Sequence, residues 1–203
     1  MNVGLVPMAA KPYHVGHHAL VEMAARQNDK VFVYVSTSNR ERKGQLSILG
    51  SDMVKIWQEQ IENILPGNVI PVYGGSPVRK VYKELERAEA ENSDDVYRVY
   101  SDPEDTAQNY KETSRLKSFP ALYQRGNVIF VAEEDPASVT RGVGTPNISG
   151  TAVREMIKRG DIESFTQIMP DGVDAMAIFD ILKPKGMTSE AYLRAYISEI
   201  IRR

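Results

Sequence analysis

Apolar positions along the chain follow first a strand's pattern and then a helix's, several times over. Residues 3–6 are an unbroken apolar run, as expected of a buried strand, and residues 7–13, with Pro7 and Pro12, form the loop after it. Beyond His14 and Gly16, Ala19, Leu20, Met23 and Ala24 fall on one face of a helix. Residues 30–35 (KVFVYV) are β-branched and aromatic and predict a second strand. Residues 46–65 place Met53, Ile56, Trp57, Ile61 and Leu65 at helical spacing, with Ser51 as the expected N-cap and Pro66 and Gly67 as the stop. Trp57 is read as core.

A third strand follows at 69–73, and Ser76 and Pro77 open a helix that runs to residue 90. Residues 95–100 read as a strand, 101–118 as a long polar connection, 127–132 as the next strand and 133–147 as a Gly- and Pro-rich loop. Helical spacing returns from Gly150 and ends near Pro170 and Gly172. Residues 174–182 and 189–203 make a helical tail.

Strands alternating with helices imply right-handed crossovers. The fold class expected is therefore α/β, a Rossmann-like and mostly parallel sheet with helices on both faces, plus a helical C-terminal tail. Residues 1–172 are expected to form the α/β domain and 173–203 a helical extension. Such sheets bind ligands beyond the carboxyl ends of their strands. The loop after the first strand lies at that end.

Composition narrows the functional classes. The chain has 203 residues, 42% of them hydrophobic, which suits a globular domain. Twenty-five Lys and Arg oppose 27 Asp and Glu, and this near balance gives no general attraction to nucleic acid or to an anionic membrane. No apolar run approaches the ~18 residues of a membrane span, and no signal-peptide pattern opens the chain. The absence of cysteine excludes disulfides, thiolate zinc sites and cysteine nucleophiles. A cytoplasmic protein with no membrane partner is the expectation.

The chain's three histidines, His14, His17 and His18, all fall within five positions. They stand where a strand's loop enters a helix, and a helix N-terminus attracts phosphate through unpaired N–H groups and its dipole. Gly16 lets a ligand approach the backbone, while His14 and His17 can donate to phosphate oxygens from one side. A zinc site is the weaker alternative, because zinc takes four ligands and adjacent His17 and His18 diverge on a helix. A second segment, Ser149, Gly150, Thr151 and Arg154, opens the helix at residue 150. Ser149 or Thr151 can simply cap it. Hydroxyls, exposed N–H groups and an arginine also make a polyphosphate cradle.

The first segment resembles the H-x-G-H signature, and the second the I-S-S-T-x-x-R signature, of the nucleotidyltransferase (cytidylyltransferase-like) superfamily, in the same order. Gly150 stands in place of the second Ser. The loop before the histidines is similar to that of nicotinamide-nucleotide adenylyltransferases, with Ala9 where they carry arginine and Lys11 in position to supply the missing charge. The pattern as a whole looks most like nucleotidyltransferases found in some bacteriophage genomes.

The resemblance implies direct transfer of a nucleoside monophosphate from a nucleoside triphosphate to a phosphate-bearing small molecule, releasing pyrophosphate and needing no protein nucleophile. Adenylyl transfer to nicotinamide mononucleotide is the first choice. Cytidylyl transfer to a phosphorylated alcohol or sugar is the runner-up, and a non-catalytic nucleotide-binding module the alternative of another class. His14, His17, Lys11 and Arg154 are the expected catalytic residues. Pro7, Met8, Ala9, Gly16, Ser149, Gly150 and Thr151 are expected at the nucleotide, and Ser38, Arg40, Asp102 and Asp105 at the second substrate. Mg²⁺ is expected to come with the triphosphate, without a dedicated ligand cage. No nucleic-acid partner is implied. Many members of the superfamily assemble, so a homo-oligomer is one expected state.

Overall fold

Strand β1 (Asn2–Met8) occupies the middle of a five-stranded sheet, and Val3, Gly4, Leu5 and Val6 are all buried. That placement accounts for its unbroken apolar run, since a central parallel strand is covered on both faces. In the computed structural model, which describes residues 1–184 and residue 197, β1 pairs in parallel with β2 (Lys30–Val35). β2 pairs with β3 (Val69–Tyr73), β4 (Val96–Val99) lies on the other side of β1, and β5 (Val128–Phe130) pairs with β4. All pairings are parallel, in the order 3-2-1-4-5. The α/β class with a parallel sheet and C-terminal helices is as the sequence predicts. The order reverses at β1 and β4, whose carboxyl ends are Met8 and Val99, and ligands of such sheets bind beyond those ends.

The chain divides into two interleaved compact units. One comprises Met1–Ala9, Gly16–Ser38 and Leu65–Asn147; the other comprises Ala10–Val15, Asn39–Ile64 and the chain from Ile148. Helix α1 (Val15–Gln27) belongs to the first unit from Gly16 onward, and α2 (Gly50–Ile56) to the second.

In the first unit, α3 (Pro77–Ala90) starts on the Ser76 hydroxyl, which accepts from the Arg79 N–H at 3.4 Å. Its buried Val81, Leu85 and Ala88 join Val3, Leu5 and Tyr97 in one apolar core. Buried Asn28 donates from Nδ2 to the Ala24 carbonyl and to the Tyr100 hydroxyl, each at 2.8 Å. It lies so close to β1 that a Cβ at Gly4 would meet that nitrogen at 2.9 Å, which explains a glycine inside a central strand.

The polar stretch 101–118 is not the predicted connection; it forms α4 (Pro103–Asn109) and α5 (Glu112–Ser118). Both helices are too short to develop an apolar period, and α5 buries an arginine in place of a hydrophobic residue. Arg115 donates to Glu133 at 2.9 and 2.5 Å and to the Tyr110 carbonyl at 2.6 Å, with its guanidinium 3.7 Å from the Phe130 ring centroid. Helix α6 (Pro120–Gln124) is capped from a distance by Glu89, which accepts from the Ala121 and Leu122 N–H groups at 2.9 and 2.7 Å. After β5 the chain turns at once into α7 (Val131–Glu134) and α8 (Pro136–Val139), where the sequence predicts further strand and then loop.

In the second unit, Arg40 and Ile48 exchange backbone hydrogen bonds of 2.8 and 3.0 Å. Helix α2 begins just after them at Gly50, two residues before a Ser51 cap would start it. Ser51 is therefore inside the helix and not its cap; Leu49 takes that position without a side-chain bond, and Asn39 Oδ1 accepts from the Gly50 N–H at 2.9 Å. The helix continues as a π-helical stretch, Trp57–Ile61, and a 3₁₀ turn, Glu62–Ile64. Helices α9 (Gly150–Arg159), α10 (Ile162–Gln167) and α11 (Ala175–Leu182) follow, capped by Ser149, Asp161 and Asp174. Gly160 ends α9 at φ +73°, a conformation that glycine adopts without strain. Phe165 and Phe179 meet edge to face at 5.3 Å. The helix predicted at 189–203 lies outside the described residues, apart from residue 197, which is helical.

Candidate functional site

The loop that leaves β1 is unusually buried for a loop. Ala10, Lys11, Pro12, Tyr13 and His14 are all buried, and the Lys11 side chain belongs to a residue only 7% exposed. Tyr13 seats it: its ring meets Trp57 edge to face at 4.9 Å, and both aromatics are buried. Trp57 is thus core, as the sequence reading has it, and its packing supports the loop. Ala10 holds φ at +44°, a left-handed conformation uncommon outside glycine. Such a residue persists where surrounding contacts over-determine it.

The first turn of α9 supplies the loop's polar support. Ser149 Oγ accepts from the Ala152 N–H at 3.1 Å, so the capping role foreseen for this segment falls to Ser149. Arg154 is 3% exposed, and its Nη1 donates to the Lys11 carbonyl at 2.8 Å. Its Nη2 donates to Thr151 Oγ1 at 2.8 Å and to Gln45 Oε1 at 3.2 Å. Its Nε is buried without a partner. The second signature segment and the loop before the histidines, far apart in the chain, therefore meet through one guanidinium. Gly150 explains itself here: a Cβ would lie 3.1 Å from Arg154 Nη1 and 3.3 Å from the Lys11 carbonyl oxygen. A serine at this position would crowd the same bond.

The surroundings are strongly cationic. Arg40 donates from Nη2 to the same Gln45 Oε1 at 3.4 Å, and its Nε is also buried and unpartnered. Among the described residues no carboxylate makes an ion pair with Arg40, Arg42 or Arg154. Burial, and then the charges of Arg40 and Arg42, push the Arg154 guanidinium down to about 10, with Glu155 opposing. Burial first and Arg40 second lower the Lys11 ammonium, and burial and Arg42 lower Arg40. Positive groups that depress one another in a partly dry site are each disfavoured as charges, a cost that a bound anion would offset.

The structure brings Lys11, Arg40, Thr151 and Arg154 together in the second unit, where His14 ends the buried loop. His17 and His18 stand on α1 in the first unit, and His18 Nε2 lies 3.8 Å from Glu22 Oε1 one turn on. Pro7 and Met8 end β1, the Met8 carbonyl accepts from the Ser36 N–H at 3.3 Å, and Ala9 is exposed. Gly16 lies in the first turn of α1. Ser38 and the two aspartates belong to the first unit; the Ser38 N–H donates to Ser36 Oγ at 3.4 Å. Asp102 Oδ1 caps α4 by accepting from the Asp105 N–H at 2.8 Å. Burial, then Asp102 and Glu104, raise the Asp105 carboxyl. Gln45 is the functional candidate that sequence reasoning misses: a glutamine in a basic loop carries no signature, and its partner Arg154 is remote in sequence. Among the described residues no three His, Asp or Glu side chains are grouped to hold a metal ion, and no helix is long and apolar enough to cross a membrane.

No curated protein matches the chain. Residues 3–68, from β1 through the buried loop, α1 and β2 to the end of the α2 segment, match the family model of the citrate lyase ligase C-terminal domain, a nucleotidyltransferase-like domain.

Proposed function

We propose that the protein moves a nucleoside monophosphate from a nucleoside triphosphate to a phosphate-bearing acceptor and releases pyrophosphate. The observation that carries this reading is the buried, carboxylate-free Arg154, bonded to the Lys11 carbonyl and to Thr151 beside Arg40. An isolated buried cation costs stability, and a polyphosphate offsets that cost when it binds. The similarity of residues 3–68 to a nucleotidyltransferase-like domain supports the same chemistry.

In the proposed reaction an oxygen of the acceptor's phosphate attacks the α-phosphorus. The new P–O bond forms as the bond to the β-phosphate's bridging oxygen breaks, and the electron pair leaves with pyrophosphate. The acceptor phosphate is ionised at neutral pH, so the chain need supply neither a nucleophile nor a strong base. Its work is to position the phosphates and to stabilise the charge that grows on the leaving group. Arg154, Lys11, Arg40 and the Thr151 hydroxyl hold that end, and His14, at the end of the same loop, donates to the phosphates. The role of His17 rests on the sequence signature. Mg²⁺ would enter with the triphosphate, bound to its phosphate oxygens, and would offset part of their charge.

The donor is proposed to be ATP and the acceptor nicotinamide mononucleotide. The test is pyrophosphate release from each of the four ribonucleoside triphosphates, with nicotinamide mononucleotide or glycerol 3-phosphate, followed by product mass. Release only from CTP with glycerol 3-phosphate would replace the donor and acceptor proposed here. Triphosphate binding without release for any pair would leave a nucleotide-binding module. Failure to bind triphosphate or pyrophosphate would overturn the reading.

A further inference from the structure

Gln45 stands at the centre of the cationic cluster, yet neither signature includes it. Its Oε1 accepts from Arg154 Nη2 at 3.2 Å and from Arg40 Nη2 at 3.4 Å. Its own N–H donates to the Arg42 carbonyl at 3.0 Å, which fixes the turn that presents the side chain. Two guanidinium groups that repel each other are thus held to one neutral oxygen, and each keeps a buried Nε without a partner. Gln45 also borders an open cavity of about 490 Å³, whose lining includes Lys158 and Asp52 but neither of the two arginines.

The chemistry of that oxygen matters. A carboxylate here would make charge-assisted bonds to both arginines and offset one of their two charges. An amide oxygen makes weaker bonds and leaves both charges uncompensated. The arrangement is that of two arginines kept close together and kept positive.

We infer that Gln45 is a positioning residue that holds Arg40 and Arg154 as a paired clamp for two adjacent phosphates, its side-chain oxygen standing in for an anionic oxygen that replaces it when the ligand binds. The inference rests on the polyphosphate reading of this site and adds to it the residue that sets the clamp and a preference for linked over single phosphates. A residue that merely spaces the loop would affect folding alone.

The test uses the full chain, with Gln45→Glu and Gln45→Leu, titrated calorimetrically with pyrophosphate and with orthophosphate, beside melting curves. Wild type is expected to bind pyrophosphate more tightly than orthophosphate. Gln45→Glu supplies an internal counter-ion, so its Tm should rise while its pyrophosphate affinity falls at least about tenfold, as like charge opposes the ligand. Gln45→Leu should lose most of the preference for pyrophosphate over orthophosphate. A folded Gln45→Glu protein with wild-type pyrophosphate affinity would overturn the inference. Should that variant fail to fold, an unchanged preference in Gln45→Leu would overturn it equally. Wild type that binds no pyrophosphate would reject the proposed function itself, before Gln45 is tested.

Discussion

Arg154 donates from Nη1 to the Lys11 carbonyl at 2.8 Å, across 143 positions of sequence. One side chain therefore does two things: it props the loop that follows β1, and it places a buried positive charge beside that loop. The two contributions to stability oppose each other. Removing the guanidinium leaves the Lys11 carbonyl without this donor, which costs about 1–3 kcal/mol, and at the same time relieves an uncompensated buried charge.

Arg154→Ala is accordingly expected to change Tm little, while kcat/KM for the triphosphate falls about 10²-fold or more, the usual loss of a charge-stabilising donor. Arg154→Lys should recover only part of the rate, because lysine keeps the charge but cannot reach Lys11, Thr151 and Gln45 with a planar fork. Steady-state kinetics beside thermal melts check both variants. Wild-type kinetics in a stable Arg154→Ala protein would reduce the segment to a helix start.

Lys11 gives the site a pH signature. Its ordinary value is 10.5, and in the folded protein burial, and then Arg40, lower it. Below the lowered value folded and unfolded chains both carry the proton. Between that value and 10.5 the unfolded chain binds more protons, so stability rises with pH through this window. Anion affinity runs the other way, because deprotonation removes a cation. Relative to Lys11→Met, wild type should gain Tm and lose pyrophosphate affinity as pH rises towards 10.5. Parallel pH profiles for the two proteins would remove Lys11 from the cluster.

The sheet was legible because its strands are dense in β-branched residues, and because buried parallel strands such as β1 need no alternation. Two pieces of the candidate site were legible, the histidine segment and the segment from Ser149 to Arg154. What supports the buried loop beside Arg154 was not. The bond between Arg154 and Lys11, the Tyr13–Trp57 contact and the oxygen of Gln45 are tertiary relations, and no local pattern encodes them. Helices α4 and α5 escaped for a related reason: the buried face of α5 carries Arg115, whose charge is paired with Glu133 and covers Phe130. A charge buried by pairing reads in sequence as a solvated one.

His17 and His18 offer an internal comparison on one helix. His18 Nε2 lies 3.8 Å from Glu22 Oε1, a side-chain pair along α1 worth a few tenths of a kcal/mol at most. His17 is the second histidine of the H-x-G-H pattern. His17→Ala is expected to lower turnover about 10²-fold with Tm nearly unchanged. His18→Ala should keep most of its activity. Equal effects of the two substitutions on turnover would show that the signature does not single out His17.

Gly150→Ser decides between two accounts of the one departure in the second signature. On sequence alone, serine restores a hydroxyl to the phosphate cradle and should improve triphosphate binding. The structure points the other way. The new Cβ would stand 3.1 Å from Arg154 Nη1 and 3.3 Å from the Lys11 oxygen, closer than an ordinary van der Waals contact on both sides of the bond that supports the loop. Neither neighbour yields easily: the guanidinium is held by Thr151 and Gln45, and the carbonyl belongs to a buried loop. The bond must lengthen, and small-to-large changes in packed surroundings cost about 1–3 kcal/mol. Gly150→Ser is expected to lower Tm and to raise KM for the triphosphate, and Gly150→Ala to do the same without any hydroxyl. If serine raises affinity where alanine lowers it, the missing hydroxyl is a lost ligand contact. If both lower it together, Gly150 is present to let Arg154 reach Lys11.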